Sequence, residues 1–138
     1  MTAEARFEAL AAAEAVALET LADDILAAAG RIEVISGPES VSAPVRLPIP
    51  GTEASTVVLG HVGLSRCTVE LDGVRGDGYR RGYDPVGAIA AAICDAAAEH
   101  DGPHRERVHR LCHDTGERAR TAATDAARRV ALTRLAEP

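Results

Sequence analysis

Residues 59–96, LGHVGLSRCTVELDGVRGDGYRRGYDPVGAIAAAICDA, decide the fold. Val62 to Leu71 reads as a strand that ends at Asp72-Gly73, the pair that favours a two-residue type I′ hairpin turn. A turn that tight sets Leu71 opposite Val74, and the rest of the register follows. Glu70 faces Arg75, Val69 faces Gly76, Thr68 faces Asp77, Cys67 faces Gly78 and Arg66 faces Tyr79. Opposed residues share a face, and faces alternate along a strand. One face therefore carries Leu71, Val74, Val69, Gly76, Cys67 and Gly78. The other carries Glu70, Arg75, Thr68, Asp77, Arg66 and Tyr79. Two glycines on the apolar face mean that something packs close there.

The packing partner comes next in the chain. Asp84-Pro85 is a helix start, with Asp at the N-cap and Pro at the first helical position. Val86, Ile89, Ile93 and Ala97 follow at helical spacing, with alanine almost everywhere between. A helix of such small cross-section suits close burial on a sheet. Asp101-Gly102-Pro103 closes the segment.

Working outward, residues 3–29 read as one amphipathic helix, with Phe7, Leu10, Ala17, Leu21, Ile25 and Ala28 near one face. Thr2 starts it and Gly30 stops it. Arg31–Ile35 is a short strand, Ser36-Gly37-Pro38-Glu39 a turn, and Val41–Leu47 a second extended piece that Pro44 restricts to an edge. Pro48-Ile49-Pro50-Gly51 is a stiff connector. Thr56–Leu59 is a third strand, which Gly60 bends. From His104 to Ala136 the pattern is helical again, with Val108, Leu111, Thr115, Ala119, Ala122, Ala126 and Val130 on one line, Gly116 as a weak point and arginines on the opposite side. The order predicts an α+β fold: an antiparallel sheet with a central hairpin, one N-terminal helix and two C-terminal helices, in a single domain over residues 1–138.

Composition narrows the function. The hydrophobic fraction is 46%, but there is no Trp, one Phe, two Tyr and one Met, so a core of Ala, Val and Leu is thin. A thin core favours stability shared with partners. The net charge of −6 argues against a dedicated nucleic-acid binder, which shows a basic excess. Every basic residue is Arg. No apolar run is long enough to span a membrane. Three cysteines fit no disulfide framework and the N-terminus does not resemble a signal peptide, so a reducing cytoplasmic location is expected.

Candidate chemistry is sparse. His109, Cys112 and His113 lie on one helix at spacings of three and four, near His104 and Asp114, as zinc ligands do, but a full tetrahedral set is missing. The plainer expectation is Cys112 beside the apolar stripe, solvated histidines and no metal. Cys67 beside Arg66 has the charge environment of an activated thiol, yet the register puts it on the core face. Gly73–Gly78 lacks the helix start and the Lys-Ser/Thr of a phosphate-binding loop. No catalytic residue and no cofactor site is assigned. Arg66, Arg75, Asp77 and Tyr79 share the polar face. They suit an anion site, a solvated surface or a protein interface, and the enrichment of Arg and Tyr at interfaces favours the last.

Several short motifs then fall in a known order: Ile35-Ser36-Gly37-Pro38-Glu39, Gly51-Thr52, Leu59-Gly60-His61, Ser65-Arg66-Cys67, Leu71-Asp72-Gly73, Gly78-Tyr79 and Gly82-Tyr83-Asp84. Over residues 32–98 this pattern resembles the G subunit of the bacterial carbon–phosphorus lyase system, PhnG. Two positions depart, His61 where the family has Glu and Tyr83 where it has Arg. The resemblance implies a non-catalytic subunit that assembles with subunits H, I and J. That assembly couples ATP to methylphosphonate, releasing adenine and forming ribose 1-methylphosphonate 5-triphosphate. Two other readings stay open at this point: a homo-oligomeric binding module no longer tied to phosphonates, and a small metal-dependent enzyme using His109, Cys112 and His113.

Overall fold

The computed structural model describes residues 1–51 and 55–136; Thr52 of the Gly51-Thr52 motif lies outside them. The elements in chain order are α1 (Ala3–Ala12), α2 (Ala15–Ala28), β1 (Ile32–Pro48), β2 (Thr56–Leu71), β3 (Val74–Arg81), α3 (Pro85–Ala98) and α4 (Pro103–Ala136). The strands form one antiparallel sheet in the order β1-β2-β3. This is the α+β arrangement expected, with two differences of detail described below.

The hairpin has the register that the sequence dictates, from Leu71 opposite Val74 to Arg66 opposite Tyr79, and continues to Leu64 opposite Arg81. Asp72 and Gly73 both have positive φ, 48° and 84°, as a type I′ turn requires. The turn is also tied down from outside. Asp72 accepts hydrogen bonds from the backbone N–H of Gly30 and Arg31, and its own N–H donates to the Arg31 carbonyl at 2.8 Å.

Helix α3 lies directly on the glycine face. A side chain at Gly76 would overlap the Ala92 carbonyl oxygen and the backbone of Ala96. One at Gly78 would come within 2.7 Å of the Ala88 carbonyl oxygen. Helix and strand therefore touch backbone to backbone. Asp84 caps α3, accepting from the Gly87 N–H at 2.9 Å, with Pro85 in the first turn. The buried Ser65 hydroxyl fixes the exit from β3: it donates to the Gly82 carbonyl and accepts from the Asp84 N–H, both at 2.9 Å. Helices α1, α2 and α4 pack around the rest of α3, so Ala90 to Ala98 are all buried. Leu10, Leu18, Leu21, Ile25, Val69, Leu71, Ile93 and Val108 complete the core.

The N-terminal segment is two helices and not one. Ala13 and Glu14 are extended, with ψ of 151° and 131°. Neither Gly nor Pro marks the break, which comes from tertiary partners. The Arg80 guanidinium donates from Nη1 to the carbonyls of Leu10, Ala11 and Ala13, closing α1. The Glu14 carboxylate accepts from the N–H groups of Val16 and Ala17, opening α2. The break shifts the phase of the buried face, so Leu18 is buried while Ala17 and Ala28 are exposed.

The strands are also longer than the sequence suggested. Ser36–Glu39 is not a turn. It is an irregularity inside a continuous β1, where Gly37 and Pro38 stand opposite the single residue Cys67, between the Ser36–Thr68 and Glu39–Arg66 pairs. Gly37 has φ +81°, a conformation that favours glycine. Likewise Thr56–Leu59 and Val62–Leu71 are one strand, with a register shift opposite Val45/Arg46 in place of a bend. Beyond Leu64 and Arg81 the third strand stops, and β1 and β2 run on as a two-stranded arm to Pro48 and Thr56. Helix α4 behaves similarly. It passes through Gly116 unbroken, and every described residue from Glu117 onward is exposed.

Candidate interaction surface

The face of the hairpin away from α3 carries the four residues singled out by the register. Arg66 and Tyr79 are direct cross-strand partners. The Arg66 Nε donates to Glu39 of β1 at 2.8 Å. Asp77 accepts from the Thr68 hydroxyl at 2.6 Å and from two nitrogens of Arg75 at 3.3 Å. Partial burial pushes the Asp77 carboxyl upward, but the Thr68 and Arg75 hydrogen bonds outweigh it and hold its pKa below the usual value. The face thus carries one cross-strand charge pair, Arg66–Glu39, one charge pair along β3, Arg75–Asp77, and a cross-strand hydrogen bond from Thr68.

Tyr79 leads off this polar set. Its ring meets Phe7 of α1 with centroids 4.8 Å apart and planes at 44°. Around that pair lies an open hollow with Val41, Ala43 and Leu64 from β1 and β2, and Glu4 and Glu8 from α1. Sequence reasoning assigned Phe7 to the helix core and left Val41, Ala43 and Leu64 out of the surface. The signal was present as period-two alternation: Val41 pairs with Leu64 and Ala43 with Val62. On the arm the exposed apolar series continues with Val45, Leu47, Val57, Val58 and Leu59.

The position of α1 beside this face depends on buried charge. The Arg6 Nε donates to Asp95 of α3 at 2.8 Å, and its Nη2 donates to Glu99 at 2.5 Å. The other Asp95 oxygen accepts the Asp77 backbone N–H, at 2.9 Å. One carboxylate therefore fastens helix α1, helix α3 and strand β3. Burial opposes the Arg6 charge, but the hydrogen bonds to Asp95 and Glu99 more than offset it and raise its pKa. At the other end of α1, Arg80 also pairs with the capping Asp84 at 3.1 Å.

The three cysteines are buried and unpaired. Burial, with the Asp77 charge, pushes the Cys67 thiol up. Burial takes Cys94 up to about 12 and Cys112 to about 11. Cys112 faces the core between Val108 and Thr115, whereas His113 is exposed and His109 half-buried. Helix geometry thus separates the Cys112 sulfur from the His113 ring. Among the described residues, no group of three or more His, Cys, Asp or Glu side chains is placed to hold a metal ion. Among the same residues no helix is long and apolar enough to cross a membrane.

The comparison with known proteins agrees with this architecture at the level of family. No curated protein is significantly similar to the chain. The family model of the phosphonate metabolism protein PhnG, however, matches residues 2–136, from the Thr2 cap of α1 to the last described residue of α4. The match covers nearly the whole chain, including the hairpin, the glycine-packed α3 and both projecting elements, and the protein belongs to the PhnG family.

Proposed function

We propose that this chain is a non-catalytic subunit of the carbon–phosphorus lyase core assembly, working in the cytoplasm with subunits H, I and J. In this reading it supports the ATP-dependent conversion of methylphosphonate to ribose 1-methylphosphonate 5-triphosphate without supplying reacting groups of its own. The observation that carries the reading is the large uncovered surface. A two-stranded ribbon has little stability in water by itself, yet β1 and β2 extend past the body with Leu47, Val57 and Leu59 exposed. Such a face fits a protein–protein contact. Arg66, Arg75, Asp77 and Tyr79, with Val41, Ala43 and Leu64 beside them, form the part of that contact nearest the body.

The test is co-expression of a tagged chain with subunits H, I and J, followed by affinity purification. The expected result is a stoichiometric complex, weakened when Tyr79 and Leu64 are both changed to Asp. A chain that stays alone and well behaved at micromolar concentration in the presence of all three would exclude the assembly role.

A further inference from the structure

Helix α4 has two halves with one repeat. Val108, Cys112 and Thr115 are buried against the body. Ala119, Ala122, Ala126 and Val130 continue the same line, but they lie beyond the body and are exposed. At 1.5 Å per residue the exposed part reaches about 30 Å. Its charge is distinctive. Residues 117–136 hold five arginines against Glu117 and Asp125, a net +3 in a chain whose total is −6. At 3.6 residues per turn, Arg118 and Arg129 flank the apolar line on one side, with Arg120 and Arg134 on the other. Among the described residues, only Arg120 of these five arginines forms a salt bridge, with Glu117.

We propose that this distal half of α4 is a docking helix for another subunit of the assembly, and that its occupant is an acidic helical surface. The inference rests on the subunit reading above and assigns the surface that serves it. The line of small side chains lets a partner helix approach closely. The arginines on both flanks then meet Asp and Glu at the rim, where bidentate pairing sets orientation. Two distal helices pairing with each other would place like charges together, so the helix does not meet its own counterpart. A lipid surface is a poor match, because the line itself is mostly alanine, and the exposed Leu132 and Leu135 lie off it, so no continuous face of large apolar side chains forms for insertion.

The experiment uses the full chain co-expressed with subunits H, I and J. Three variants are compared with the native protein: Arg118→Glu with Arg129→Glu, Ala122→Glu, and the conservative Arg118→Lys with Arg129→Lys. Each is first shown to keep its circular dichroism and melting temperature. The expected result is at least a tenfold loss of captured subunits for the first two and near-native capture for the lysine variant. Native capture should also fall between 0.1 and 0.5 M salt. Undiminished capture by the charge-reversed chain overturns the docking helix and leaves the subunit role standing. Failure of the native chain to capture any subunit removes the subunit role, and this inference with it. A salt-sensitive dimer of the isolated chain, abolished by charge reversal while subunit capture persists, makes the occupant a second copy and likewise overturns the proposal.

Discussion

Strand β2 passes through two environments. From Ser65 to Leu71 it alternates between buried and less buried residues, with Ser65, Cys67, Val69 and Leu71 all under α3. From Thr56 to Val62 it is richer in Val and Leu, four residues against two, yet all but one of its residues are exposed; Gly60 is half-buried. Local sequence does not separate the two parts. The second layer does: α3 covers one, and among the described residues no element covers the other. Helix α4 repeats the lesson, its apolar line buried up to Thr115 and bare after it. Body and projections are therefore built to the same periodic rules. They differ in where the covering surface comes from.

The sharpest way to break this comparison is at the glycines. Gly78 and Gly63 both sit in β-strands, but a side chain at Gly78 meets the α3 backbone, while one at Gly63 meets nothing within 4 Å. Gly78→Val should destabilise the chain by about 3 kcal/mol or more, since backbone cannot move aside as a side chain can. Gly63→Val should change stability by less than about 0.5 kcal/mol, as an exposed substitution. Urea denaturation of both variants measures this. Equal losses at the two positions would erase the distinction between body and arm.

A contrast of similar size separates two ion pairs. Arg6 and Asp95 are both largely buried, with side-chain exposures of 7% and 12%, whereas Arg120 and Glu117 are at 67% and 56%. Replacing Arg6 by Met leaves the Asp95 carboxylate without its cation and should cost about 3–5 kcal/mol. Arg120→Met should cost no more than about 0.5 kcal/mol. The Arg6 loss should be recovered in part by adding Asp95→Asn, whose amide still accepts the Asp77 N–H. A double-mutant cycle gives the coupling directly.

Legibility in the sequence follows the same division. The hairpin register and the α3 cap could be read because each is fixed within a few residues, by Asp72-Gly73 and by Asp84-Pro85. The break between α1 and α2 could not, because Arg80 makes it from nearly seventy residues away. Gly37-Pro38 carries the composition of a turn, and only pairing with β2 keeps it inside a strand. At the candidate surface, alternation placed Arg66, Arg75, Asp77 and Tyr79 together, because cross-strand order is local to a hairpin. Periodicity did not reveal that Phe7 would leave the core side and stack on Tyr79, since the position of α1 depends on Arg6 and Asp95. The apolar line of α4 was likewise visible, but a line of residues does not say where its cover ends.

An intermediate effect is expected for a cavity in the body against the same truncation on the arm. Val69 is fully buried and Val57 is 47% exposed. Val69→Ala should lower stability by about 2 kcal/mol, from lost burial and an unfilled space. Val57→Ala should leave the isolated chain almost unchanged, yet weaken capture of subunits H, I and J if the arm is covered in the assembly. A large loss of intrinsic stability at Val57 would show that the arm is held by its own chain.

The smallest effect concerns pH. Asp77 and Glu117 both have depressed pKa values: hydrogen bonds to Thr68 and Arg75 outweigh partial burial at Asp77, and the hydrogen bond to Arg120 lowers Glu117. For a carboxyl depressed in the folded state, the stabilisation is complete above the unfolded value, 3.8 for Asp77 and 4.5 for Glu117, and fades as pH falls through the lower folded value. Asp77 lies in the sheet, so its protonation should register in global unfolding. Asp77→Asn should lower stability at pH 7 by less than about 1 kcal/mol, given its solvent exposure. The gap to the native chain should close as pH falls through the lowered folded value and the native carboxyl takes up its proton. Glu117 sits on the uncovered half of α4, where unfolding of the body does not depend on a single salt bridge. Glu117→Gln should therefore leave the acid limb of the denaturation curve in place. If the two variants shift that limb equally, the distal helix is energetically coupled to the body, and the separation of α4 into a packed half and a projecting half fails.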